Sequence, residues 1–177
     1  MSTGPEHDVF LVPSQYSSIQ EAIGAIVRPS TIMVSPGVYN EEKSMIAGNN
    51  AQRCDGSACG GGLYLVDCDV EIAGSSIQAN AVYGSVEARG GGIYCERSQV
   101  RMWRSRVTDN ALYGTQCEGA GIYFRDSSAQ LGGSVVTGNG IADGRGGGIF
   151  VSGHSERVVV HRNTVVRQNH PDDYTTE

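Results

Sequence analysis

The chain has 177 residues, a length that suits one domain with its own hydrophobic core. Its formal net charge is −6 and it has no run of basic residues, so nucleic acid is not an expected partner. No stretch reaches the ~20 apolar residues that span a bilayer, so membrane insertion is not expected either. Glycine is frequent, with 25 copies clustered before short apolar runs, and this indicates a backbone that turns sharply at regular intervals.

The N-terminal segment predicts a cap followed by a first coil, over residues 8–40. Apolar residues recur at the spacing of one helix face at positions 19, 22, 23, 26 and 27. Ser17 with Gln20, or Ser18 with Glu21, would form a capping box, and Pro29 would end the helix. Residues 31–39 then predict a strand followed by a Pro-Gly turn.

A repeat of about 30 residues dominates the rest of the chain and indicates a solenoid. Residues 60–64, 90–94, 119–123 and 146–150 each begin with a glycine-rich triplet, followed by an aliphatic and an aromatic residue. Serine or threonine recurs at 75, 105, 134 and 164, with Met45 breaking the first place. An asparagine column is predicted at Asn50, Asn80, Asn110, Asn139 and Asn169. We assign the asparagines, and the aromatic column of Tyr64, Tyr94, Tyr123 and Phe150, to the fold.

Alternating apolar pairs such as Val70 and Ile72 predict short strands with one face inward. Stacked coils would pair each strand in parallel with its copies above and below. We therefore predict a single all-β domain. It is a right-handed parallel β-helix solenoid of about five coils with an N-terminal capping α-helix, with coils over 41–170 and a polar tail at 171–177. The hand follows from the general chirality of parallel crossovers.

Residues 16–23 (YSSIQEAI) and 31–41 (TIMVSPGVYNE) resemble the opening of pectin lyase-like β-helix proteins. The GGGIY and S-x-V-x-x-N coils are similar to the repeats of bacterial right-handed β-helix proteins and of polymorphic surface proteins. The resemblance covers about residues 8–170 and implies the fold. Its members include enzymes acting on pectin, phage tailspikes and adhesins, so it implies no single activity.

Asp67, Arg97 and Asp126 fall in one column of the repeat, and we expect their side chains to point outward. Neighbouring coils lie ~4.8 Å apart, so these residues would form a vertical ladder of acid, base and acid. A polysaccharide lyase would use such a set to abstract a proton, and a hydrolase would place two carboxylates across the scissile bond. The three are candidate catalytic residues, and the alternative is charge pairing on a solvated face.

Beside the ladder lies a second set of polar and aromatic side chains. A tryptophan on a sheet can stack on a sugar ring, and arginine can hold the carboxylate of an acidic glycan. The alternative for the tryptophan is that it covers a coil corner, with the next arginine lying over it. The candidate binding residues are Asp69, Glu71, Arg101, Trp103, Arg104, Arg106 and His161.

No metal site and no cofactor are expected, because CxxC pairs and nucleotide fingerprints are missing from the sequence. Calcium is compatible with an acidic chain but nothing indicates it. Of the five cysteines, Cys54 and Cys59 enclose a short loop and could form a small disulfide, or all five are reduced.

Three functions stay open. The first expectation is a non-catalytic module that binds a surface, either a polysaccharide or a protein partner. The second is a small polysaccharide lyase or hydrolase, and the third is a structural scaffold that self-associates. An open last coil would favour a homo-oligomer, since residues 171–177 are too polar to cap it. The protein is expected outside the cell or on its surface if a leader peptide preceded this sequence, and in the cytoplasm otherwise.

Overall fold

The computed structural model describes residues 8–17, 21–22, 25, 30–34, 38–42, 44–53, 56–155 and 157–177. These residues form 25 short strands. The predicted capping helix lies mostly outside the described residues and is not shown. At its expected start, the backbone N–H and the hydroxyl of Ser17 both donate to the carboxylate of Glu21, at 2.9 and 2.6 Å.

The strands follow one another in coils, with five strands in each of the first four coils. Strand β1 (Asp8–Val12) precedes them. The first coil has β2 (Ser30–Val34), β3 (Val38–Glu42), β4 (Met45–Ala47), β5 (Asn50–Arg53) and β6 (Ala58–Cys59). The second has β7 (Leu63–Val66), β8 (Asp69–Ala73), β9 (Ser76–Gln78), β10 (Ala81–Gly84) and β11 (Glu87–Arg89). The third has β12 (Ile93–Glu96), β13 (Gln99–Trp103), β14 (Arg106–Thr108), β15 (Ala111–Tyr113) and β16 (Gln116–Glu118).

The fourth coil has β17 (Ile122–Arg125), β18 (Ser128–Gly132), β19 (Val135–Thr137), β20 (Gly140–Ile141) and β21 (Gly144–Arg145). The fifth coil has three strands, β22 (Ile149–Ser152), β23 (Arg157–Val160) and β24 (Val165–Arg167), and β25 (Tyr174–Thr176) follows it. The described part of the chain thus contains four complete coils and a shorter fifth, so the predicted parallel β-solenoid is confirmed.

Strands at the same place in successive coils pair in parallel, and they form five sheets that we name A to E in the order in which each coil visits them. Sheet A has seven strands (β1, β2, β7, β12, β17, β22 and β25). Sheet B contains β3, β8, β13, β18 and β23, and sheet C contains β4, β9, β14, β19 and β24. Sheet D contains β5, β10, β15 and β20, and sheet E contains β6, β11, β16 and β21. Stacking in register satisfies the backbone and leaves identical positions above one another.

The interior of the coil is divided into two lobes with separate cores. The larger core is formed by sheets A, B and C, where Leu65, Ile72, Met102 and Phe124 are buried. The smaller core lies between sheets D and E and contains small side chains around Val82 and Leu112. The sequence pattern predicted a single inward face and did not reveal this division.

The two lobes are joined at a narrow waist, where two segments of the same coil approach each other closely. This close approach explains the glycine triplets. A Cβ added at Gly92 would lie 2.6 Å from the carbonyl oxygen of Gly121 and 2.9 Å from Nδ2 of Asn110. The triplet at the start of each coil therefore runs against the asparagine column at the other side of the waist. Only glycine allows the backbone to approach so closely.

The asparagine column is confirmed as a ladder, with one correction. Asn80 donates its backbone N–H and its side-chain amide to Oδ1 of Asn110, both at 3.0 Å, and Asn110 repeats this pair with Asn139. Its first member is Asn49 and not Asn50, since Asn49 donates the same pair to Asn80. Asn50 lies in β5, opposite Ala81.

A serine ladder behaves in the same way. The backbone N–H of Ser75 donates to Oγ of Ser105 at 3.1 Å. The prediction that Met45 breaks this column is wrong, because Ser44 occupies the place and donates to Ser75. Both corrections have one cause: Arg53 pairs with Gly84 and Ala58 with Ala88, so the first coil has one extra residue between sheets D and E.

The aromatic column is confirmed as a stack on the outer side of sheet A. Ring centroids are 5.0, 5.3 and 5.7 Å apart along Tyr64, Tyr94, Tyr123 and Phe150, with planes within 7°. Sheet E folds over this stack, and the guanidinium of Arg145 lies 5.2 Å from the ring centroid of Phe150. The stack is therefore a third, external core, and three of its four rings are buried.

The segment expected to be a polar tail contains β25, which adds a seventh strand to sheet A. The chain reaches it by crossing the waist directly from sheet C, because His170 bridges to Gly140 and Asp173 accepts the N–H of Ile149 at 3.0 Å. The second lobe is omitted from this last coil. It shortens steadily before that, from residues 50–59 through 81–89 and 111–118 to 140–145.

Cys59, Cys95 and Cys117 are free thiols, Cys68 is buried, and Cys54 lies outside the described residues. Burial raises the pKa of the Cys59 thiol to about 11. Among the described residues, no helix is long and apolar enough to cross a membrane.

Candidate functional site: the outer face of sheet B

Sheet B presents a polar outer face because its strands alternate strictly. Val100 and Met102 are buried in the larger lobe, so Gln99, Arg101 and Trp103 point outward between them. The register places three columns on this face. They are Asp69, Gln99, Ser128 and Arg157; then Glu71, Arg101, Gln130 and Val159; then Ala73, Trp103, Gly132 and His161.

The predicted ladder of Asp67, Arg97 and Asp126 lies in the turn that leads from sheet A into sheet B. The three residues have φ values of 54°, 46° and 49°, so the column marks a left-handed turn position. Arg97 grips Asp67 with two hydrogen bonds of 2.8 and 3.0 Å and also bonds Glu96. The three residues lie in one column of the structure, as the alignment of the repeats predicted.

The ladder is not continuous, however. Asp126 accepts the backbone N–H of His154 at 2.9 Å, and the imidazole of His154 and the guanidinium of Arg125 lie 3.5 and 3.8 Å from its carboxylate. The hydrogen bonds from Arg97 lower the pKa of the Asp67 carboxyl below its usual value. The backbone N–H of His154 does the same for the Asp126 carboxyl. Both carboxylates are therefore ionised at neutral pH, each held by its own partner.

In the middle of the face, Arg101 bonds Asp69 with Nη2 to Oδ1 at 2.7 Å. The residue directly opposite Arg101 in the register is Glu71. The guanidinium therefore pairs with a diagonal neighbour and not with the residue opposite. The ion pair of Arg101 therefore runs diagonally between two columns of the face.

Trp103 lies flat across the next coil. A Cβ added at Gly132, its register partner, would lie 1.9 Å from the indole ring, so the ring occupies the space that a side chain there would fill. His161, one coil further, packs against the indole with ring centroids 5.5 Å apart. The glycine thus creates an aromatic platform of two rings, which remains partly exposed.

Arg104 and Arg106 continue from Trp103 around the corner into sheet C. Arg104 occupies the turn with φ 52°, and Arg106 is an exposed outward residue of β14. No cation–π contact of Arg104 with the indole is found among the described residues, and the ring that packs on Trp103 is that of His161, tilted by 38°. Six of the seven candidate binding residues therefore share this face or its borders, and Arg106 lies beyond the corner.

Two shallow depressions flank the face. One, of about 740 Å³, follows the turn column and is lined by residues that include Arg97, Asp126 and Arg157. The other, of about 500 Å³, lies beside Trp103 and is lined also by Glu71, Arg104 and Asn163. His154, Arg157 and Asn163 were not singled out from the sequence. Arg157 could have been found from the column of Asp69 once the insertion before it was placed.

The arginines of the described chain divide into two groups by position. Arg89, Arg97, Arg101, Arg125 and Arg145 all form ion pairs. Five others form no ion pair with any described carboxylate, and they lie around Trp103 and toward the C-terminal end: Arg104, Arg106, Arg157, Arg162 and Arg167. These five guanidinium groups are therefore available to an anionic ligand. Within the described residues, no group of three or more metal-ligating side chains is found.

A family model of the right-handed β-helix region matches residues 71–170, more than half of the chain. The chain belongs to the right-handed β-helix family. Among curated proteins and among solved structures, no significant match was found. Membership of the β-helix family fixes the coil architecture and its ladders, and the finer likenesses to pectin lyase-like and polymorphic surface proteins stay predictions. The function of this β-helix protein must be argued from its own side chains.

Proposed function

We propose that this protein is a non-catalytic module that binds an anionic polysaccharide on the outer face of sheet B, at Trp103. The observation that carries the proposal is the indole platform over Gly132, beside a depression with Arg104 and Asn163. A flat, partly exposed aromatic ring stacks on the apolar face of a sugar. Polar groups at its rim supply hydrogen bonds that fix orientation.

The unpaired guanidinium groups favour an anionic ligand. Arg104 lines the depression beside the platform, and Arg106 lies beyond the corner on sheet C. Neither forms an ion pair with a described carboxylate, so neither has to give one up when a ligand binds. Arginine binds carboxylate and sulfate groups through two parallel hydrogen bonds. A uronate or sulfated glycan presents such groups along its length at the spacing of sugar rings.

Binding without catalysis is favoured by the state of the carboxylates. Asp67 is held by Arg97, and Asp126 by the N–H of His154, and both have lowered pKa values. A general acid needs a raised pKa to hold its proton at neutral pH, and a strongly stabilised carboxylate is a weak base. The turn column therefore fits a fixed polar border of the binding face better than an acid–base pair.

The test is retention on immobilised glycans, with polygalacturonate, alginate and heparin as anionic probes and dextran as the neutral one. We expect retention on at least one anionic glycan, with a shift of the intrinsic fluorescence, since Trp103 is the one tryptophan of the chain. Trp103→Ala should abolish retention. Tyr113→Ala, which removes an exposed aromatic ring from sheet D, is the matched control and should bind normally.

Three outcomes would contradict the proposal. Equal retention of the Trp103→Ala variant would show that the platform is not part of the binding site. Retention on dextran alone would show that the ligand is not anionic. Release of unsaturated products or reducing ends would show turnover and return attention to Asp67, Arg97 and Asp126.

A further inference from the structure

The C-terminal end of the solenoid carries a step one strand high. Sheet A continues above β22 with β25, whereas sheets B and C end at β23 and β24. Nothing in the described chain lies on the free edges of these two strands. The described residues thus leave these two edges open, with Tyr174 at one side.

Backbone groups at this open edge point away from the coil below. In a parallel ladder, the N–H and C=O of one residue face one neighbouring strand and those of the next residue face the other. The N–H of His161 donates downward to the carbonyl of Leu131 at 2.9 Å. The alternation therefore directs the backbone groups of Val158 and Val160 upward, away from the coil below. Val166 has the same position in β24.

Apolar side chains at the same end are only partly covered. Val158, Val160 and Val166 point into the larger lobe and pack on its core, yet each remains half-exposed. The residue below Val160 in the ladder, Leu131, is fully buried. Together with Tyr174, the valines line an open cavity of about 430 Å³. One more layer of apolar side chains would complete the core.

Three arginines lie at or near this cavity. Arg162 lines it directly, and Arg157 and Arg167 stand on the outer sides of β23 and β24. None of the three forms an ion pair with a described carboxylate. Complementary charge is what selects and orients a partner at such an edge.

We propose that this edge is a docking site for an extended, acidic peptide segment of a partner protein, which adds a strand to sheet B or C. Strand addition satisfies the free backbone groups of Val158 and Val160. Alternate apolar side chains of the segment fill the cavity, and the intervening carboxylates face the arginines. A second copy docked by the same end would oppose these arginines to themselves, and like charges at an interface cost binding energy.

The probe is a fluorescein-labelled peptide of alternating glutamate and valine, followed by fluorescence anisotropy. The control peptide has lysine in place of glutamate. We expect the acidic peptide to bind about tenfold more tightly than the basic one. Hydrogen exchange should show new protection at the amides of Val158 and Val160 when the acidic peptide is bound.

Two variants make the test specific. The double variant Arg162→Glu/Arg167→Glu should weaken binding of the acidic peptide about tenfold or more, because both substitutions lie on the exposed rim. Arg106→Glu is its matched control, since Arg106 lies on sheet C two coils below the edge and should leave peptide binding unchanged. Circular dichroism verifies that each variant folds.

The same variants separate this site from the glycan face. Arg106→Glu should reduce glycan retention, and the double variant should reduce peptide binding. Equal affinity for the acidic and basic peptides would overturn the docking proposal, as would a dimer in light scattering that the peptide does not dissociate. Either result would leave glycan retention at Trp103 untouched.

Discussion

The carboxylate of Asp173 accepts both the backbone N–H and the side-chain amide of Asn169, at 3.0 and 2.9 Å. Asn139 donates the same pair of groups to Asn169. Asp173 therefore occupies the place that the asparagine of a further coil would have. Because a carboxylate offers only acceptors, the ladder ends there without a donor that needs another partner.

Asp173→Ala should destabilise the protein, because both donors of Asn169 lose their acceptor in a partly buried place. We expect the free energy of unfolding to fall by about 1–3 kcal/mol, measured by guanidinium denaturation. Asp143→Ala removes an exposed carboxylate of the second lobe and is the control. Equal stability of the two variants would show that the last acceptor does not secure the ladder.

Gly92→Ala tests the waist. Its Cβ would meet the carbonyl of Gly121 and the amide of Asn110, so the two sides of the waist would have to separate. A loss of about 3 kcal/mol or failure to fold is expected, seen in thermal denaturation. Gly140→Ala is the matched control, because a Cβ there has nothing within 4 Å and its register partner is Ala111. Comparable losses of stability in both variants would contradict the inference that the backbone at Gly92 packs too closely for a side chain.

Arg97→Gln should raise the pKa of the Asp67 carboxyl toward its usual value and leave that of Asp126 unchanged. The reason is that hydrogen bonds from Arg97 lower the first, whereas the N–H of His154 lowers the second. Carboxyl carbon shifts in an NMR titration measure both. A parallel rise at Asp126 would mean that the column is electrostatically coupled.

The same depressed pKa values give the sign of one pH effect. A carboxyl whose pKa is lower in the folded state adds stability that is complete above its unfolded pKa of about 3.9. This contribution is lost as the pH falls through the folded pKa. In wild-type protein the free energy of unfolding should therefore begin to fall below about pH 4. Arg97→Gln should remove part of this pH dependence.

Gly132→Ala should displace Trp103 without unfolding the protein. The added methyl group would meet the far end of the indole, which can rotate away, and no main-chain atom is among its nearest contacts. We expect a red shift of tryptophan emission, together with weaker glycan retention. Unchanged emission would show that the ring does not depend on the glycine.

Sequence columns predicted the position of Asp67, Arg97 and Asp126 correctly because the coils between them have nearly equal length. They failed for Asn49 and Ser44, where one extra residue between sheets D and E shifts the first coil. A column also says which residues are neighbours and not which of them bond. Arg101 has a side chain long enough to reach its diagonal neighbour, so its choice of Asp69 was outside what spacing can predict.

The two ends of the chain were harder to predict than its middle. Residues 171–177 are polar and carry no repeat pattern, yet Tyr174 follows Asp173 into sheet A because the backbone crosses the waist there. The waist depends on contacts between Gly92 and Asn110, and periodicity within a single strand contains no information about them. Trp103 was identified because a tryptophan on a sheet can stack on a sugar ring, but the space above Gly132 that makes it a platform lies in the next coil and leaves no pattern in the sequence.

The second lobe shortens from coil to coil, and the last coil has no second lobe. The lengths of the two lobes are therefore constrained differently in evolution. Sheets A, B and C keep one spacing over the first four coils, and residues are added between them only in the fifth coil, before β23 and before β24. The appendage formed by sheets D and E can gain or lose residues, since the glycine triplet and the asparagine column close the main ring without it. Insertions and deletions among descendants of this gene should therefore accumulate between each ladder asparagine and the following triplet. The spacing of sheets A, B and C should change less.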